Sequence, residues 1–71
     1  MSIRVVRARM ENDHFEADGV LKVSPAKVGG EDLVSFCFSC DGFSFHSGTY
    51  FSGEKTAIAA AGQFGITVLR D

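Results

Sequence analysis

Apolar and polar residues alternate along most of this chain, in two blocks separated by a stretch rich in turn-forming residues. The first block covers residues 3–23. A period of two is the mark of a half-buried strand. Asn12-Asp13, in the middle of the block, reads as a two-residue turn, because both residue types tolerate positive φ. Folding about that turn sets Met10 opposite Phe15, Arg9 opposite Glu16, Ala8 opposite Ala17 and Arg7 opposite Asp18. Met10, Ala8, Phe15, Ala17 and Leu21 then share one face. Arg7, Arg9, Glu16 and Asp18 share the other, where opposite charges directly across strands contribute about 0.2–1 kcal/mol per pair. Ile3, Val5 and Val20 also fall on that polar face.

Residues 24–32 contain Pro25 and the Gly29-Gly30 pair and predict a loop. The second alternating block covers residues 33–50 and is centred on Asp41-Gly42, a strong hairpin signal. Pairing around it sets Cys40 against Phe43, Phe38 against Phe45, and Cys37 against His46. Val34, Phe36, Phe38, Phe43 and Phe45 form an apolar face, while Ser35, Cys37, Ser39, Ser44, His46 and Tyr50 form the other. Burying one Phe side chain stabilises by roughly 1.5–3 kcal/mol, so the Phe face is the expected centre of the core.

The period then changes. Ser52 precedes an Ala-rich run in which Ala57, Ile58, Ala61 and Phe64 recur at helical spacing. Ser52 is the expected N-cap and Glu54 lies in the first turn, where the helix dipole favours an acid. Gly62 or Gly65 is expected to end the helix, and residues 66–70 to form a last strand. The predicted fold is α+β: an antiparallel sheet of four to five strands (ββ-loop-ββαβ) with one helix packed on its Phe-rich face.

Length and charge narrow the function. With 71 residues, the chain is expected to be a single domain over 1–71, too small to enclose a large active-site cavity. Seven basic and nine acidic side chains give a net charge of −2, which argues against a general nucleic-acid binder. No apolar run approaches the roughly 20 residues of a membrane helix. Arg4 and Arg7 interrupt the N-terminal apolar residues, so no secretion signal is expected and the thiols are expected to be reduced and cytoplasmic.

Cys37-Phe38-Ser39-Cys40 is a C-x-x-C that, with His14 and His46, offers four zinc ligands. Three residues apart on a strand, however, the two thiols point to opposite faces, and neither metal nor cofactor is expected. Gly48 to Thr56 resembles a P-loop, but Glu54 stands where phosphate charge would accumulate. Asp41-Gly42-Phe43-Ser44-Phe45 resembles the aromatic strand of RNA-recognition and cold-shock domains. A basic residue normally precedes that Gly; here it is Asp41. His46 has no assignable carboxylate beside it and His14 belongs to a turn, so no catalytic residue is assigned and an enzyme is not expected.

A small acidic β-meander followed by Ser, an Ala-rich helix, Gly and a closing strand (here the run from Ser52 to Leu69) resembles small phage and prophage inhibitor proteins of the anti-CRISPR type. The resemblance is architectural. It implies a non-enzymatic protein-binding module that blocks a host protein or nucleoprotein complex in the cytoplasm of the host cell. The expected contact surface is the polar sheet face: Arg7, Arg9, Glu16, Asp18, Ser35, Ser39, His46 and Tyr50. Tyr and Arg are the types most enriched at interface hot spots. Two alternatives stand beside it, a single-stranded nucleic-acid binder using Phe43 and Phe45 and a self-associating structural domain, for which a homodimer through a free edge strand is the simplest form.

Overall fold

The computed structural model describes residues 3–69. Five strands, β1 (Arg4–Glu11), β2 (Glu16–Val28), β3 (Glu31–Cys40), β4 (Phe43–His46) and β5 (Ile66–Val68), form one sheet, and a single helix α1 (Glu54–Gly62) precedes β5. The strand order is β4-β3-β2-β1-β5 and every pairing is antiparallel. This is the predicted α+β architecture, with the fifth strand returning to the far edge beside β1.

The first hairpin forms, but in a different register. Met10 is opposite Ala17, Arg9 opposite Asp18 and Arg7 opposite Val20, where the sequence suggests Phe15, Glu16 and Asp18. The cause lies at Asn12. Its side-chain Oδ1 accepts the His14 N–H at 2.9 Å, and its own N–H donates to the Phe15 carbonyl at 2.8 Å. The turn is therefore Asp13-His14. No non-glycine residue among those described has positive φ, so the conformational tolerance of Asn12 and Asp13 is not used. Moving the turn by one residue moves each cross-strand partner by two. Two is the side-chain period, so all partners change while every face assignment survives.

Residues 24–32 are not a loop. β2 runs on to Val28, β3 begins at Glu31, and only Gly29-Gly30 turn, both with positive φ (59° and 86°), as a two-residue hairpin requires. Pro25 sits inside β2 opposite Val34. Val34 exchanges both of its backbone bonds with Phe51 on its other side, at 2.9 and 2.7 Å. The Val34–Pro25 pair is thus non-hydrogen-bonded, and the Pro25 nitrogen points away from β3. Its missing N–H therefore removes no bond from the β2–β3 ladder. The second hairpin has the predicted register, with Cys40 opposite Phe43, Phe38 opposite Phe45 and Cys37 opposite His46.

The core lies on one face of the sheet. Leu21, Val34, Phe36 and Phe38 are its largest fully buried side chains, joined by Ala8, Met10, Val23 and Ile66. The helix closes over them with Ala57 and Ala61, whose small side chains let the backbone approach closely. It begins one residue later than predicted. Gly53 takes the N-cap position without a side-chain bond, and Ser52 instead places its hydroxyl 3.5 Å from that of Thr56. Phe64 lies past the helix end, yet its ring still meets Phe36 and Phe45, at centroid distances of 6.4 and 5.1 Å. β5 covers Ile66–Val68; residue 70, the last of the predicted strand, lies outside the described residues.

Gly65 joins helix to β5 with φ of +84°, and a Cβ there would stand 2.2 Å from the Glu11 carbonyl oxygen. Gly62 ends the helix with open space around it. Gly65→Ala is expected to lose about 2–3 kcal/mol of stability, from overpacking and left-handed strain. Gly62→Ala is expected to gain about 0.5 kcal/mol. Urea unfolding of the two variants checks both signs.

Candidate partner-binding face

Because successive strand residues point to opposite faces, burying one face of this sheet leaves the other as a continuous outer surface. The pairing registers arrange its side chains in rows across the strands. One row holds Arg9 and Asp18; the next holds Arg7, Val20, Ser39 and Ser44; the next holds Val5, Lys22, Cys37 and His46. Among the described residues, neither helix nor loop covers these rows. Val5 is 57% exposed and Val20 39%. Both are β-branched apolar side chains held outward by the alternation that turns Val6 and Leu21 toward the core.

Arg9, Glu16 and Asp18 come together as predicted, though not by the predicted pairing. Arg9 Nη1 bonds Asp18 Oδ1 at 2.8 Å, its Nη2 pairs with Glu16, and its Nε lies 3.7 Å from Glu11. One guanidinium thus gathers three carboxylates, and the group carries 1 − 3 = −2. The planar five-donor fork of Arg makes this possible where Lys could not. Arg7, expected to pair with Asp18, lies one row away and is engaged within the chain.

Ser35, His46 and Tyr50 meet elsewhere on the molecule. They line a shallow cavity of about 250 Å³ with Phe36, Ser47, Gly48 and Thr49. Ser47 holds this segment in place: its hydroxyl donates to the Thr49 carbonyl at 2.8 Å and accepts the Phe36 N–H at 3.3 Å. No carboxylate lines the cavity. Ser39 belongs to the outer row beside Val20 and also reaches a cleft of about 420 Å³ with Phe15, Ala17, Asp18, Gly19, Cys40 and Asp41. The predicted residues therefore form two groups, Arg9-Glu16-Asp18 at the hairpin end and Ser35-His46-Tyr50 at the β4 side, with Arg7 and Ser39 between. Val20 and Lys22 belong to this surface although they are not among the predicted site residues. Their even spacing from Asp18 was the available signal.

Cys37 and Cys40 stand on opposite faces. Cys37 Sγ lies 3.7 Å from the Ser39 hydroxyl on the outer side, whereas Cys40 packs against the core. Their thiols do not converge. On the helix side, Phe45 is held against Phe36 and Phe64, and Phe43 against Phe15 at a centroid distance of 4.8 Å. Only Phe43 of the two is exposed, and Asp18 and Asp41 line the neighbouring cleft. Among the described residues no helix is long and apolar enough to cross a membrane.

No protein-family model, no curated protein and no solved structure matches the chain.

Arg9→Gln removes the only cation among three carboxylates. Because the acids are more than half exposed, the expected loss is only about 0.5–1 kcal/mol. It should shrink in 1 M NaCl, where the Debye length is about 3 Å. Unfolding of wild type and variant at low and high salt measures the difference.

Proposed function

We infer that this chain is a non-enzymatic protein-binding module whose contact surface is the outer sheet face. The observation that carries the reading is that face itself: uncovered, with Val5 and Val20 exposed between the Arg9 carboxylate cluster and the Ser35-His46-Tyr50 group. Apolar centres rimmed by charge and flanked by an aromatic hydroxyl are the usual composition of protein contact surfaces. The cavities are shallow, and His46 shares its cavity with hydroxyls and no acid, which favours contact over general-base chemistry. Small size and acidity support the narrower proposal: a phage-type inhibitor that works inside a host cell by occupying a protein or nucleoprotein complex. The aromatic alternative has less in its favour, since Phe43 is packed against Phe15 and adjoins the acidic Asp41 turn, where a base would meet no cation.

The test has two readouts. The tagged chain, passed over host lysate, is expected to retain a discrete partner that Phe64→Ser, on the helix side, also retains. Val20→Asp should lose it, and Tyr50→Ala should weaken it by at least about tenfold. Equal retention by Val20→Asp would remove the outer face from the proposal. Expression in a host with active RNA-guided immunity should restore phage plaques; unchanged plaque counts would remove the inhibitor role and leave the binding face to be judged by the first readout.

A further inference from the structure

The outer face has a charge pattern with a centre of symmetry of its own. Asp18, Val20 and Lys22 project from one strand on the same side. At about 3.3 Å per residue, Val20 lies midway, roughly 6.6 Å from each charge. Asp18 belongs to the Arg9 group of net −2. Lys22 makes no ion pair among the described residues and has His46 in its row. The face is therefore acidic on one side of Val20 and basic on the other.

We propose that in the free protein this face is covered by a second copy of the chain. The inference rests on the reading of the outer face as the contact surface and names its first occupant. A two-fold axis lying in the interface, across the strands at Val20, turns one copy end for end above the other. It sets Asp18 of each copy over Lys22 of the second, twice, and Val20 over Val20. Val5, in the Lys22 row, then falls opposite the aliphatic stem of Arg9. Two sheets packed in this aligned manner lie about 10 Å apart. A two-fold contact is isologous, so it closes as a dimer and does not propagate.

Size sets its strength. Four strands about 4.8 Å apart and some six residues long present roughly 20 Å by 20 Å, below the ~800 Å² per partner of a standard interface. The dimer is accordingly weak, with a dissociation constant on the order of 10–100 µM, and a heterologous partner can displace it from the face.

Sedimentation equilibrium from about 5 µM to 1 mM tests this, and the estimate above places the monomer–dimer transition within that range. Val20→Lys puts two like charges on the axis and should leave only monomer. Lys22→Asp sets acid against Asp18 and should weaken association by at least tenfold. Asp18→Lys combined with Lys22→Asp exchanges the two signs and should restore it, which no general loss of folding can imitate. Circular dichroism of each variant confirms that the fold is intact. A species of monomer mass throughout the range overturns the proposal, as does a dimer that Val20→Lys leaves unchanged, the result expected of pairing through the β4 or β5 edge. A dimer that the double exchange fails to restore overturns it equally. Failure here is separable from failure of the binding reading: a strict monomer whose Val20→Asp variant still loses its lysate partner refutes the copy and keeps the face.

Discussion

The ring of Phe36 is buried in the middle of β3, and it touches the rings of Phe45, Phe51 and Phe64, at centroid distances of 6.3, 5.7 and 6.4 Å. Those partners come from β4, from the segment that bridges back to Val34, and from the turn after the helix. One side chain thereby joins pieces far apart in sequence. Its N–H donates to the Ser47 hydroxyl at 3.3 Å, and its carbonyl accepts the Ser47 N–H at 3.0 Å. The chain leaving β4 is therefore fastened at the same residue that anchors the core. A small domain with few core residues depends heavily on each such junction.

Everything on the outer face follows from that burial. Once Phe36 and Phe38 point inward, Ser35, Cys37 and Ser39 must point out, and the β2–β3 ladder transmits the same parity to Val20 and Lys22 and then to Val5, Arg7 and Arg9. The charges on the face are thus a consequence of the register of the core, and a slip by one residue would bury Arg9 and expose Leu21. Antiparallel sheets commonly leave one face open to solvent. What distinguishes this one is that the open face keeps Val20 at its centre, with the Arg9 carboxylate group of net negative charge on one side and Lys22 on the other.

Alternation made much of this legible in advance. The two-faced hairpins, the Phe cluster, the Asp41-Gly42 register and the Ala-rich helix are local patterns, and the structure has them all. The departures occur where a local signal competes with a specific contact. Asn12 was expected to sit in the turn, but its side chain bonds the His14 amide and shifts the turn onward. Pro25 was expected to break the strand, but it faces a position of β3 whose backbone bonds go to Phe51, so the β2–β3 ladder needs no donor from it. Ser52 was expected to cap the helix, but the helix starts after Gly53. The candidate site shows the same division. Parity put its strand residues on one face, but Tyr50 lies beyond β4, which ends at His46 and not at residue 50, and the grouping into the Arg9 cluster and the Ser35-His46-Tyr50 cavity was not foreseeable from spacing.

By itself, the sequence determined which side chains share a face, since that depends only on the period of the strand and survives a two-residue shift of register. It also determined where the core lies, because apolar residues are concentrated there. Only the tertiary structure decided which residues are neighbours across strands, which charges Arg9 gathers, and where β5 returns to the sheet. Those depend on distances between segments far apart in the chain, set by turn hydrogen bonds and by the fit of Ala57, Ala61 and Phe64 against the sheet, and no local pattern encodes such distances.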